Sequence, residues 1–181
     1  DGSGRKWFRL ACQGRTMVMV DHGIRTPGRV NEVDAFVKIG RHLRKKGAPL
    51  PEIFFADTFS GLVCLQDLGD QHLQQAVLGT DRENEIAEMY KKVLRKQMHM
   101  SIAGLDGFDP GWTWQTPAYD RTLILENECR YFVESFLKLY VGMDTSYADL
   151  AHEFDLLAEQ TLEWSFPGFM HRDFQSRNIM L

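Results

Sequence analysis

His171, Arg172, Asp173 and Asn178 stand near the end of the chain in the order His-Arg-Asp-x-x-x-x-Asn. These residue types at this spacing suit phosphoryl transfer. An aspartate within hydrogen-bond reach of an acceptor hydroxyl can orient it and take its proton. An asparagine further round the same loop can give its amide oxygen to a Mg²⁺ that clamps the phosphates. Ile179-Met180-Leu181 then supplies an apolar segment to anchor the loop. With each residue at roughly 5% usage, four fixed positions over about 170 windows match by chance on the order of once in a thousand chains. Asp173 is therefore the candidate catalytic residue and Asn178 the candidate metal ligand.

A second, weaker signal opens the chain. Asp1-Gly2-Ser3-Gly4 precedes a strand-like run, Trp7 to Cys12, where backbone N–H groups and the Ser3 hydroxyl can face phosphate oxygens. No G-x-x-x-x-G-K-[ST] occurs, which excludes a P-loop NTPase. Trp112 and Trp114 lie in a Gly/Pro-rich loop, where exposed aromatics can stack on a sugar face; simple loop packing is the blander reading. The Phe54-Phe55 pair and most of the 8 methionines are expected to pack in the core.

The elements that must position these residues change character along the chain. Gln13-Gly14 between two bulky runs predicts a hairpin. Asn31 with Asp34 predicts a helix start, Val33, Phe36, Val37, Gly40 and Leu43 its apolar stripe, and Lys45-Lys46-Gly47 its end. Ile53–Ala56 and Leu62–Leu65 read as two more short strands. Beyond Gln66-Asp67-Leu68-Gly69-Asp70 the pattern is helical. Thr80 with Glu83 predicts a capping box before Ile86, Tyr90, Val93, Leu94 and Met98. Asp120 opens the next helix, and Ser146 with Asp149 the one after. The layout is α+β: a small antiparallel sheet with one helix, a connector, and a larger helical part.

Composition narrows the partners. The 181 residues carry 21 basic and 25 acidic side chains, a net charge of −4, with 44% hydrophobic and 25% charged residues. This is globular composition, and a mildly acidic balance argues against a general nucleic-acid partner. No apolar run approaches the ~18–20 residues that span a bilayer, so no membrane partner is expected. Cys12, Cys64 and Cys129 form no C-x-x-C pair. Cys12 and Cys64 sit among apolar neighbours, where a reduced cysteine behaves as a small hydrophobe. A reducing, cytoplasmic setting is expected.

Taken in order, Gly2-Ser3 with Arg5, Phe8-Arg9-Leu10, Leu65-Gln66-Asp67-Leu68-Gly69-Asp70, Tyr119-Asp120-Arg121 and His171 to Asn178 resemble the aminoglycoside phosphotransferase/choline kinase superfamily. Within it, the bacterial sugar kinases acting on N-acetylmuramate and N-acetylglucosamine are the nearest likeness. The resemblance covers essentially the whole chain. It implies a protein-kinase-like two-lobed fold: a nucleotide-binding lobe over 1–66, a hinge over 67–70, and a helical lobe carrying the catalytic loop over 71–181. It implies ATP and Mg²⁺ as cofactors and a small-molecule hydroxyl, such as an amino sugar, as acceptor. An aminoglycoside- or choline-type phosphotransferase and a non-catalytic nucleotide-binding relative are the alternatives.

By the same resemblance Asp173 is catalytic and Asn178 binds Mg²⁺. Ser3, Gly4 and Arg5 meet the phosphates, the backbone of Gln66, Asp67 and Leu68 meets adenine, and Glu32 is the ion-pair glutamate of the first helix. The strand Met17–Asp21 lacks the lysine that usually holds the phosphates, so Arg5 or Lys6 is expected in its place. A second Mg²⁺-binding aspartate is expected beyond Leu181, in a natural protein extending past both ends of this chain.

Overall fold

Two residues with positive φ close the first hairpin. Gln13 (φ 49°) and Gly14 (φ 75°) join β1 (Lys6–Cys12) to β2 (Arg15–Asp21) in register Cys12↔Arg15. That is the left-handed pair a two-residue hairpin loop requires. The computed structural model describes residues 4–181. Two further strands, β3 (Ile53–Asp57) and β4 (Leu62–Gln66), complete a four-stranded antiparallel sheet in the order β1-β2-β4-β3.

One helix, α1 (Glu32–Lys45), packs on this sheet. The Asn31 N–H donates to Asp34 Oδ2 at 3.0 Å, the reciprocal limb of a capping box. His42, Arg44 and Lys45 lie against the negative pole of its last turn. Val33 and Val37 of α1 meet Val20, Val63 and Leu65 of the sheet, with Phe36, Ile53 and Ala56 around them. Each of these valines contributes roughly 1.5–3 kcal/mol by leaving water. This is the expected stripe, and it fixes α1 over the two central strands.

The chain then passes through α2 (Leu73–Leu78) and α3 (Glu83–Ala103). Leu43, Ala48 and Met100 form a second core, against which Phe169 and Phe174 pack. The helical residues Leu123–Cys129 and Phe132–Val141 follow, and then α4 (Ala151–Glu163). The first two segments use i→i+5 bonds: Arg130 N–H reaches Leu125 O, and Gly142 N–H reaches Leu137 O. Their core joins Ile124, Leu125, Cys129 and Val133 to Phe154 and Ala158 of α4. Asp120 and Ser146–Asp149 cap as expected: Asp120 Oδ1 accepts from Leu123 N–H at 2.8 Å, and Asp149 Oδ2 accepts from Ser146 N–H at 2.7 Å. Residues up to Trp114 together with Gly168–Leu181 make one compact unit, and Gln115–Pro167 make another.

Several expectations are corrected. Thr80 does not cap α3 through Glu83: its hydroxyl accepts from Arg82 N–H at 3.3 Å and Arg82 is the cap residue. Phe54 and Phe55 are 54% and 55% exposed, because β3 is an edge strand whose register shifts between Ile53 and Phe55. Cys12 is exposed, since β1 is the opposite edge and every residue in it is open. Met98, Met143 and Met170 are also exposed, and Met100 is the methionine that is buried. On α3 the stripe of Tyr90, Leu94 and Met98 faces outward among the described residues. None of the described helices is long and apolar enough to cross a membrane.

Candidate active site

Asp173 and Asn178 lie side by side. Asn178 Nδ2 donates to Asp173 Oδ2 at 2.8 Å and to the Asp173 carbonyl at 3.1 Å. Gln175 Nε2 donates to the other carboxylate oxygen, Oδ1, and Gln175 N–H to the Asp173 carbonyl. Both Asn178 bonds use the amide nitrogen, so its carbonyl oxygen is the atom left to face a ligand. Arg172, immediately before, has φ 67°. A non-glycine residue there is strained, a state that persists only where the surroundings enforce it.

Those surroundings come from both flanks. Phe169 N–H donates to Ser101 O at 2.8 Å, and the Phe169 and Phe174 rings sit on the Leu43–Ala48–Met100 core. On the far side, Leu73 N–H donates to Ile179 O at 2.8 Å, Leu181 N–H to Gln71 O at 3.0 Å, and His72 pairs with Met180. The loop is thus fastened at one end to α3 and at the other to the segment just after the connector 67–70.

That connector is locked to β1. Arg9 Nε lies 2.7 Å from Asp67 Oδ2, its Nη2 2.9 Å from Asp67 Oδ1, and its Nη1 2.8 Å from Asp70. Arg9 also donates to the Gly69 carbonyl, and Gly69 N–H to Asp67 Oδ1. The Asp67 side chain is 8% exposed, so its carboxylate is fully engaged. Gln66 N–H donates to Glu52 O at 2.8 Å. Leu68, between them, keeps both its N–H and C=O without a hydrogen-bond partner among the described residues.

At the other edge Arg5 Nη1 meets Glu32 Oε1 at 3.1 Å, joining two residues that the sequence singled out separately. Arg5 Nε is buried and has no hydrogen-bond partner among the described residues. Gly4 is exposed, with nothing within 4 Å of the place a Cβ would take. Ser3 lies outside the described residues.

The phosphotransferase enzyme family is matched by residues 1–181. The chain belongs to this family. Among curated relatives, the N-acetylmuramate/N-acetylglucosamine kinase of Pseudomonas aeruginosa is 29% identical over 184 residues, covering 100% of this chain and 49% of the relative. That of Neisseria meningitidis is 25% identical over 189 residues, covering 100% and 51%. That of Caulobacter vibrioides is 27% identical over 161 residues, covering 82% and 40%. The chain spans about half the length, or less, of these relatives. The phosphotransferase family accounts for the α+β, protein-kinase-like build, with its four-stranded antiparallel sheet.

In this member of the family Trp112 is a packing residue. Its ring meets His42 at 5.2 Å and Phe108 at 5.7 Å, both edge-on, and His42 Nε2 is 2.8 Å from the Gly104 carbonyl. Trp114 stays 48% exposed. Linear sequence left two features unread. The Arg9–Asp67 clamp links residues 58 apart, and the φ of Arg172 carries no compositional mark.

The clamp has a testable pH signature. Arg9, and after it the Gly69 N–H, hold the Asp67 carboxyl below the usual carboxylate range. A carboxyl whose folded pKa is depressed stabilises the fold above its unfolded value, near 3.9, and loses that contribution as pH falls through the folded value. Asp67→Asn is expected to melt lower than the parent at pH 7, with the two converging below about pH 4. Thermal melts across that range check it; a gap that stays constant with pH would mean that the carboxylate charge is not what holds the clamp.

Proposed function

We propose that this chain carries the nucleotide and catalytic-loop residues of an ATP- and Mg²⁺-dependent kinase that phosphorylates a hydroxyl of a small amino sugar in the cytoplasm. The observation that carries the reading is the Asp173–Asn178 pair on a strained, doubly anchored loop in a member of the phosphotransferase family. The amino-sugar acceptor is supported by the names of the relatives matched.

The residues fit the cofactors. Leu68 offers a free backbone donor beside a free acceptor, the complement of an adenine edge. Arg5 offers a buried, unsatisfied N–H and a positive charge for phosphate oxygens. The amide oxygen of Asn178 is a hard donor suited to Mg²⁺, which is usually held by few protein groups together with substrate phosphates. When bound, the cation neutralises charge on the phosphates during transfer.

The chain's own residues then divide the work. Asp173 orients the acceptor hydroxyl and accepts its proton at a carboxylate oxygen. Asn178 and Gln175 fix the rotamer of that carboxylate. Arg9, Asp67 and Asp70 hold the connector so that Leu68 keeps its register. Catalysis comes from position and electrostatics.

A coupled ADP-release assay on the protein that carries this chain tests the reading. The panel is N-acetylmuramate, N-acetylglucosamine, aminoglycosides and choline, with preferential turnover of the two amino sugars expected. Preference for aminoglycosides or choline moves the acceptor to those classes. Nucleotide binding with no turnover of any acceptor leaves a non-catalytic nucleotide-binding protein. Asn178→Ala is expected to weaken Mg·ATP binding by calorimetry while the affinity for acceptor holds. Unchanged nucleotide affinity and rate would reduce Asn178 to a brace for Asp173.

A further inference from the structure

Among the described residues, Glu32 stands between two nitrogen partners and bonds one of them. Its Oε1 takes Arg5 Nη1 at 3.1 Å, while its Oε2 lies 3.9 Å from His22 Nδ1. That second separation is beyond a hydrogen bond. The His22 side chain is 1% exposed, and both ring nitrogens are buried without a hydrogen-bond partner among the described residues. Its ring rests on Phe36 of α1 at 5.2 Å. The backbone beneath is pinned: His22 N–H donates to Gly61 O at 2.8 Å. Gly61 has φ +76° and passes so close to Gly23 that a Cβ would meet the Gly23 carbonyl. A buried imidazole with two unsatisfied nitrogens is costly. Here it is held rigidly, one small side-chain shift from a carboxylate.

We propose that His22 is a positioning residue for Arg5: it takes over the Glu32 carboxylate through Nδ1–H when the Arg5 guanidinium turns to an anionic ligand. The inference rests on the reading that Arg5 meets the nucleotide phosphates. With Arg5 paired to Glu32, the carboxylate charge is compensated and Glu32 needs no bond from His22. Once Arg5 leaves, an unpaired carboxylate would remain at the start of α1, and His22 supplies the replacement donor. Glu32 therefore stays in place, and Arg5 can return.

The exchange has an electrostatic consequence. The charged groups facing His22 are Glu32 from α1, Arg5 from the segment before β1, and Asp21 from β2. Burial lowers the pKa of His22, Glu32 opposes that, and Arg5 reinforces it. Drawing Arg5 away from Glu32 removes one lowering influence and strengthens a raising one. Binding of a polyphosphate then takes up a proton from solvent onto the ring.

Two measurements test this. The first needs no ligand: the His22 imidazole is titrated by NMR in the parent, Arg5→Gln and Glu32→Gln, its signal assigned by its loss in His22→Asn. Arg5→Gln is expected to raise the His22 midpoint and Glu32→Gln to lower it. An unchanged midpoint in Arg5→Gln overturns the exchange. The second is calorimetry with ADP in buffers of different ionisation enthalpy. The parent is expected to take up more protons than His22→Asn, whose amide replaces Nδ1–H, does not titrate, and preserves ADP affinity; the ionisation of ADP itself is common to both and cancels. His22→Phe, without a donor, is expected to bind ADP several-fold more weakly. Parent-like ADP binding by His22→Phe overturns the positioning role. A parent that binds no ADP while Arg5→Gln still raises the midpoint would uphold the sharing of Glu32 and sink the nucleotide reading.

Discussion

Asp173→Ala is expected to lower kcat by about 10²–10⁴-fold, the usual cost of removing a positioned base, with ADP affinity unchanged. The side chain is the acceptor for Asn178 Nδ2 and Gln175 Nε2. Both donors are open enough to turn to water, so truncation leaves no buried orphan. The anchors on either side, Phe174 in the Leu43–Ala48–Met100 core and Ile179 O on Leu73, do not involve the carboxylate. Folding should therefore change little, by about 1 kcal/mol, the net worth of an exposed hydrogen bond. Asp173→Asn is the sharper companion, since it keeps the shape and removes the proton acceptor. A large fall in both variants with a melting temperature that moves by only a few degrees assigns the loss to chemistry. Turnover like the parent's in either variant would remove Asp173 from the reaction.

Local chemistry made much of the fold legible in the sequence. Gln13-Gly14 demanded a left-handed turn, and Asn31, Asp120 and Ser146 each had an acidic partner or backbone N–H within one helical turn. Signals failed where an outcome depended on a sheet edge or a competing bond. Phe54 and Phe55 have strand composition, but only the sheet order and the β3 register shift put them outside. Thr80 had the right spacing for a capping box, and its hydroxyl took the Arg82 N–H two residues on. The i→i+5 turns over Leu123–Cys129 and Phe132–Val141 were invisible, because a small change in turn leaves an apolar stripe largely intact over so few residues. The candidate site divides the same way. Asp173 and Asn178 could be named as candidates because their relation is a fixed spacing in one loop. Arg5 and Glu32 were each named, but their pairing across 27 residues, and the nearness of His22 to it, appear only in three dimensions.

Leu73→Ala is expected to destabilise the protein by about 2–5 kcal/mol, the range for emptying a filled leucine site. For a chain of this size that is on the order of 5–15 °C in Tm. Leu73 is fully buried, at 0% relative exposure, and it is the first residue of α2. Its backbone N–H also holds Ile179 O at 2.8 Å, while Gln71 O takes Leu181 N–H. The side chain thus fixes the segment that, among the described residues, fastens the far end of the candidate loop. Shrinking it should loosen that fastening before the sheet, whose core of Val20, Val63 and Leu65 is separate. Hydrogen exchange reads the difference: the amides of Leu73 and Leu181 should lose protection in Leu73→Ala, while those of β2 and β4 fall only with global stability. Leu73→Met, which nearly conserves volume, should cost less than about 1.5 kcal/mol and restore both amides. If Leu73→Ala lowers Tm but leaves the Leu181 amide as protected as the strand amides, the loop is held by Phe169 and Phe174 alone. The tie between α2 and residues 179–181 would then be incidental to the placement of Asp173.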